Sequence, residues 1–134
     1  MRKPIKTDIC IVGSGPAGAS TSLALAQLNI PHYIIDKATF PRDKTCGDGL
    51  ILYAYKSLKK LDLLDAFLSD PRFLHSKNIN LHVKDNLKVQ FKENEDRDMV
   101  ISYARRMDFD HFLKSKILKN TKKSQQMYLV YQFL

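Results

Sequence analysis

The stretch that decides the fold is Thr7-Asp-Ile-Cys-Ile-Val-Gly-Ser-Gly-Pro-Ala-Gly18, which continues into Ala- and Leu-rich residues up to Leu28. Residues 7–12 are mostly β-branched and short, which is typical of a buried strand. Residues 16–28 are predicted to form a helix, with proline in its first turn. Residues 31–36 predict a second strand. The chain therefore opens with a strand–helix–strand unit, whose two strands must run parallel.

The loop between the first strand and the helix has the pattern G-x-G-x-x-G. Its members are Gly13, Ser14, Gly15, Pro16, Ala17 and Gly18. The first glycine permits a tight turn, the second lets a pyrophosphate approach the backbone, and the third lets the helix pack on the strand. The helix N-terminus offers N–H groups and a partial positive charge to phosphates. Asp36 ends the second strand, where a carboxylate can bind a ribose 2′-OH and would repel a 2′-phosphate. The pattern predicts a site for FAD or NAD rather than NADP.

Beyond residue 36 the sequence predicts a loop, two helical segments, an antiparallel region and a closing helix and strand. The ranges are 37–48 for the loop, 49–60 and 62–69 for the helical segments, 78–83 with 87–92 for a hairpin, 99–104 for a strand, 109–119 for a helix capped by Asp108, and 128–133 for the last strand. We expect one FAD- or NAD-binding α/β domain over residues 1–134. Within it, residues 5–70 form the βαβ unit and following helices, 78–104 the antiparallel strands, and 108–134 a helix and third parallel strand.

Composition narrows the class of protein. The 134 residues are 44% hydrophobic and 27% charged, and no apolar run approaches the ~20 residues of a membrane span. Cys10 and Cys46 do not make a disulfide framework, and Cys10 lies in an apolar run where a thiol packs as a small hydrophobe. We therefore expect a cytoplasmic protein. The net charge of +8 comes without a nucleic-acid motif, so no nucleic-acid partner is expected. The histidines lack ligand spacing, so no metal site is expected.

Three blocks carry a resemblance to a known family. They are Asp8-Ile-Cys-Ile-Val-Gly-Ser-Gly-Pro-Ala-Gly-Ala-Ser20, Phe40-Pro-Arg-Asp-Lys-Thr-Cys-Gly-Asp-Gly-Leu50 and Arg106-Met-Asp-Phe-Asp-His-Phe-Leu113. Together they resemble geranylgeranyl reductase-type FAD-dependent oxidoreductases, within the p-hydroxybenzoate hydroxylase-like flavoprotein group. The resemblance implies a Rossmann-like FAD-binding βαβ unit with a short antiparallel β region. It covers only the N-terminal part of the family's usual length, so an incomplete fold without the C-terminal substrate region is expected.

The resemblance also implies roles for residues. The glycine loop would hold the FAD pyrophosphate, and Asp36, flanked by Lys37, would hold the adenosine ribose. The segment with Lys44, Cys46 and Gly47 would pass beside the cofactor, with Cys46 as a catalytic candidate near the isoalloxazine or an inert loop thiol. Arg106 would reach the ribityl or pyrophosphate region, with Arg105 as the alternative.

Three functions stay open. The first is an FAD-dependent reductase that transfers hydride to C=C bonds of an isoprenoid or related lipid, with NAD(P)H as electron donor. The second is a flavin-dependent monooxygenase or halogenase. The third is a truncated, non-catalytic FAD-binding fragment. The substrate would be a small or lipid-like molecule. Peripheral membrane contact and the oligomeric state stay open.

Overall fold

A computed structural model of the chain describes residues 6–46, 48–83, 87–92, 101–123 and 130–132. Its elements in chain order are β1 (Cys10–Val12), α1 (Pro16–Gln27), β2 (Tyr33–Asp36), β3 (Gly49–Leu50), α2 (Leu52–Lys60), α3 (Leu64–Leu68), β4 (Leu74–Ser76), β5 (Asn78–Val83), β6 (Leu87–Lys92), β7 (Ile101–Tyr103), α4 (Arg106–Lys123) and β8 (Val130–Gln132). They fall into two compact units, one formed by residues 1–44 with 106–134 and the other by residues 45–105.

The first unit is built on a parallel sheet with the strand order β1-β2-β8. Ile11 pairs with Ile34, and Ile34 pairs with Val130. Because side chains alternate along a strand, Ile11 and Ile34 point to the same face, and Ile34 is fully buried there. The βαβ unit and the third parallel strand are therefore confirmed, although all three strands are shorter than predicted.

The prediction that Cys10 packs in the core is wrong. Cys10 and Val12 point away from the face that holds Ile11, and the Cys10 side chain is exposed while Val12 is 82% exposed. A run of apolar residues does not reveal that only one face of a strand is covered. In β1, only Ile11 is thus partly covered, while Cys10 and Val12 stay exposed.

Helices α1 and α4 pack against each other. Residue spacing explains the contact, because each helix concentrates its buried residues on one side. Those residues are Ala19 and Leu23 on α1 and Phe109, Phe112, Leu113 and Ile117 on α4. The predicted start of α4 is wrong: the helix begins at Arg106, so Asp108 lies in its first turn and is not the N-cap.

The second unit combines an antiparallel sheet of order β3-β7-β4 with the β5–β6 hairpin and the helices α2 and α3. Its buried residues include Leu58, Phe67 and Phe73, and the rings of Phe67 and Phe73 lie 4.7 Å apart. The Tyr55 hydroxyl and the Ser102 hydroxyl are 2.7 Å apart, and Ser102 Oγ lies 2.5 Å from His75 Nδ1. A buried polar chain therefore ties α2 to two strands of the sheet.

The hairpin is confirmed at residues 78–83 and 87–92, while its predicted turn at 84–86 and the charged segment 93–98 lie outside the described residues. Residues 49–50 are a strand rather than the start of a helix, and β4 was not predicted. Both strands are very short and pair with β7, which lies far away in the sequence. The fold class is confirmed as mixed α/β with a parallel βαβ unit and antiparallel strands. In the part of the chain that the structure describes, no helix combines the length and apolarity that crossing a bilayer requires.

Candidate functional site

The glycine loop forms the turn from β1 into α1. Gly13 has φ of +97°, a left-handed conformation that glycine adopts without strain. Its N–H donates to Ile35 O at 2.7 Å, which fixes the loop to the central strand. Gly15 is the N-cap of α1 in an extended conformation, and its carbonyl accepts the first helical bond, from Ala19 N at 2.8 Å. No side chain of the described residues caps this helix end, so the backbone N–H groups of the first turn of α1 are left for another acceptor.

Gly18 packs closely against the end of β1 and the start of the glycine loop. A Cβ atom at this position would overlap Gly13 O and would lie 3.2 Å from Ile11 Cγ2. The predicted role of the third glycine in helix–strand packing thus has a direct geometric cause.

Asp36 anchors the loop from the end of β2. Its Oδ2 accepts hydrogen bonds from Ser14 N at 2.6 Å and Ser14 Oγ at 3.0 Å, and its Oδ1 accepts one from Ala38 N at 2.7 Å. The residue is only 8% exposed. Burial by itself would raise the pKa of Asp36, but the hydrogen bonds from Ser14 and Ala38 and the charge of Arg42 outweigh it and hold that pKa below 3.8. The carboxylate is therefore ionised at neutral pH.

Two arginines converge on Gly15. The Cβ position of Gly15 lies 3.4 Å from Arg42 Nη2 and 3.8 Å from Arg106 Nη2. Both side chains reach the carboxylate of Asp110, which is completely buried. Arg106 donates from Nε to Oδ1 at 2.9 Å and from Nη2 to Oδ2 at 3.1 Å, while Arg42 Nη2 lies 3.4 Å from Oδ2. Two guanidinium groups are thus held beside the middle glycine of the loop.

A further cation stands near this group. Lys114 Nζ lies 4.4 Å and the Arg42 guanidinium 5.0 Å from the centre of the Phe40 ring, which is within the range of a cation–π contact. Burial lowers the pKa of Lys114, and the charge of Asp36 offsets part of that effect. Lys114 thus adds a third positive charge close to Phe40 and to the carboxylate of Asp36.

The other predicted site residues are spread over both units. Lys37 and Lys44 are exposed in the first unit. Cys46 is an exposed thiol of the second unit, and Gly47 lies outside the described residues. Arg105, the alternative to Arg106, is exposed and belongs to the second unit.

Sequence reasoning missed Arg42, Asp110 and Lys114 as members of this site. One signal was available, because Arg106 and Asp110 are four residues apart, the spacing at which side chains meet on a helix. Arg42 lies in another segment of the chain, so no local pattern links it to Asp110.

The arrangement suits a pyrophosphate. Guanidinium groups bind phosphate oxygens through paired N–H donors, and a helix N-terminus adds backbone N–H groups and partial positive charge. With no side chain at Gly15, its backbone is open to a phosphate, and the two guanidinium groups lie 3.4 and 3.8 Å from its Cβ position. The residues present therefore fit a dinucleotide bound by its phosphates.

The fold is similar to solved flavoproteins. A flavoprotein/dehydrogenase from Cytophaga hutchinsonii matches with a TM-score of 0.73 and 18% identity over 94% of this chain and 30% of its own. CmlS, a flavin-dependent halogenase, matches with a TM-score of 0.70 and 21% identity over 92% of this chain and 22% of its own. At these identities the matches show a shared fold.

A sequence relative matches part of the chain. Menaquinone reductase of Mycobacterium tuberculosis is 46% identical over 56 residues, which are 42% of this chain and 14% of that protein. The match thus spans about a seventh of the relative's length. The family described as FAD binding domain matches residues 6–130, nearly the whole sequence. The chain belongs to the FAD binding domain family.

Proposed function

We propose that this chain binds FAD by its pyrophosphate at the loop between β1 and α1. The observation that carries this proposal is the convergence of Arg42 and Arg106 on Gly15, at 3.4 and 3.8 Å from its Cβ position. FAD brings two phosphate charges, and the site offers two guanidinium groups and a helix N-terminus for them. Membership of the FAD binding domain family supports FAD over NAD.

The residue roles are part of the proposal. The phosphate contacts would come from Arg106 and Arg42 together with the loop residues Gly13, Ser14, Gly15, Pro16, Ala17 and Gly18. Asp36 would accept a hydrogen bond from the adenosine ribose, with Lys37 beside it. The segment with Lys44, Cys46 and Gly47 would lie along the cofactor, and Cys46 is the candidate for a group near the reacting atoms.

For the reaction we propose an oxidoreductase of the reductase type, like the geranylgeranyl reductases. Bound FAD supplies hydride transfer, while the protein supplies binding, orientation and electrostatics. The net reaction would oxidise NAD(P)H and add a hydride and a proton across a C=C bond of an isoprenoid or related lipid. The 46% identity to a menaquinone reductase over 56 residues supports the reductase class. The electron donor and the cytoplasmic location stay predictions.

The second candidate is a flavin-dependent monooxygenase or halogenase. The fold match to the halogenase CmlS favours it as much as the relative favours the reductase. A non-catalytic FAD-binding fragment is the third candidate, because the matched segment is only 14% of the relative's length.

The visible spectrum of the purified protein tests cofactor binding. We expect flavin absorbance near one equivalent, and its loss in Gly15→Val, because the valine side chain would occupy the phosphate space beside Arg42. Thr21→Val is the matched control, since it places the same side chain at an exposed position of the same helix. Colourless wild-type protein that takes up no added FAD, or full flavin in Gly15→Val, would refute the site.

The reaction class is tested by adding NAD(P)H to the FAD-loaded protein. A reductase bleaches the flavin without air and then reduces an isoprenoid C=C bond without consuming oxygen. Hydroxylated or halogenated product formed with oxygen uptake would identify the second candidate. Bound flavin with no turnover of either kind would identify the fragment.

A further inference from the structure

The carboxylate of Asp110 lies at the centre of the arginine pair. Asp110 is completely buried on α4, and both of its oxygens face arginine donors. A buried carboxylate is costly unless it is paired and hydrogen-bonded, and here the partners are two cations rather than one. Arg106 comes from the same helix, whereas Arg42 comes from the loop after β2. Asp110 therefore joins two separate segments of the chain.

We propose that Asp110 is a positioning residue for phosphate binding, which holds Arg42 and Arg106 beside Gly15. This inference rests on the proposed FAD site. Its geometric basis is a fork from Arg106 to both carboxylate oxygens, at 2.9 and 3.1 Å, and the ion pair to Arg42 at 3.4 Å. The same two Nη2 atoms that reach Asp110 also lie 3.4 and 3.8 Å from the Gly15 Cβ position.

Preorganisation is the physical reason for such a device. An arginine loses up to about 2 kcal/mol of side-chain entropy when it is fixed, and a guanidinium that is already fixed does not pay that cost again on binding. The fork to Asp110 engages two of the five N–H donors of a guanidinium. It also sets the plane of the Arg106 guanidinium, which a bidentate contact with a phosphate depends on.

A competing effect has the opposite sign. Asp110 carries a negative charge, so its removal would leave the site more positive and would attract phosphates more strongly. Positioning and charge compensation therefore predict opposite changes in affinity when the charge is removed but the shape is kept.

The test compares Asp110→Asn with wild type for FAD, ADP and adenosine, measured by calorimetric titration. Positioning predicts that the variant binds FAD and ADP about ten- to a hundredfold more weakly, the range for a hydrogen bond to a charged group. Adenosine has no phosphate, so its affinity should change less than about twofold. The control Asp108→Asn removes the same charge from the first turn of the same helix and should leave all three affinities unchanged.

Arg42→Met provides a second variant, because the Arg42 side chain is partly exposed. This substitution should weaken the binding of FAD and ADP but not that of adenosine. When Asp110→Asn is added to Arg42→Met, it should reduce the affinity for FAD and ADP by a smaller factor than it does in wild type, since part of the effect of Asp110 passes through Arg42.

The outcomes separate the two proposals. Wild-type protein that binds neither FAD nor ADP overturns the proposed function and the inference with it. If wild-type protein binds FAD and ADP but Asp110→Asn binds them equally well or more tightly, the inference alone is overturned. It is also overturned if Asp110→Asn loses as much affinity for adenosine as for FAD and ADP. Fully additive effects of the two substitutions, or unchanged ADP binding in Arg42→Met, also overturn it. Should Asp110→Asn fail to fold, the Arg42→Met result decides.

Discussion

Gly18→Ala reverses the usual effect of replacing a helical glycine. Gly18 lies in the first turn of α1, and alanine there gains about 1 kcal/mol of helix propensity. The new Cβ would overlap Gly13 O and would lie 3.0 Å from Gly13 C and 3.2 Å from Ile11 Cγ2. Two of these three atoms are backbone, so the contact cannot be relieved by rotating a side chain.

The cost can be estimated from what would have to move. Gly13 is fixed by its hydrogen bond to Ile35 O at 2.7 Å, so α1 must shift away from β1. Overpacking of this kind costs about 1–3 kcal/mol and sometimes more, and the backbone contact places this case at the upper end. After the gain in propensity, a net loss of about 2 kcal/mol remains. For a chain of this size that loss lowers the melting temperature by roughly 8 °C.

Thermal and urea unfolding followed by circular dichroism measure the effect. Gly15→Ala is the control, because Gly15 has φ of −66° and its nearest atoms are the flexible ends of Arg42 and Arg106. It should lower the free energy of unfolding by less than about 1 kcal/mol, the difference between glycine and alanine at an N-cap. A Gly18→Ala protein that melts at or above the wild-type temperature would show that helix–strand contact does not require glycine here.

Two further predictions concern buried polar groups. The pKa of Asp36 is lowered in the folded chain, so its contribution to stability is complete above pH 3.8 and is lost as the pH falls through the folded pKa. In Asp36→Asn, the free energy of unfolding should therefore fall less steeply with decreasing pH below 3.8. An unchanged pH dependence in this range would contradict the prediction. Tyr55→Phe removes the hydroxyl that lies 2.7 Å from Ser102 Oγ but leaves that oxygen its contact with His75, so the free energy of unfolding in urea should fall by only about 1 kcal/mol. A loss above about 3 kcal/mol would instead mean that Ser102 is left without a partner.

The first unit was predictable where its signals are local. These signals act within a few residues of one another. They are the spacing of Gly13, Gly15 and Gly18, a β-branched run, and a proline in the first helical turn. They predicted β1, α1 and β2 to within three residues at each boundary. The second unit was less predictable, because β3 and β4 acquire their structure by pairing with β7, and such pairing depends on distant sequence.

The start of α4 shows how a tertiary contact overrides a local signal. Asp108 is a good N-cap residue, but an aspartate is also stabilised in the first turn by the helix dipole. The local sequence therefore allows both positions. The structure has the second arrangement, which places Arg106 and Asp110 four residues apart within the helix, the spacing at which their side chains meet.

Asp36 shows how a motif residue can combine two roles. The sequence assigns it to a ribose, yet in the structure Oδ2 accepts two hydrogen bonds from Ser14 and Oδ1 accepts one from Ala38. A carboxylate oxygen can accept two hydrogen bonds, so Oδ1 retains one acceptor position and Oδ2 retains none. A ribose hydroxyl would therefore bind at Oδ1, while Oδ2 holds the phosphate loop in place. Loss of the carboxylate should then weaken the phosphate and the ribose contacts together, because the same side chain supports both.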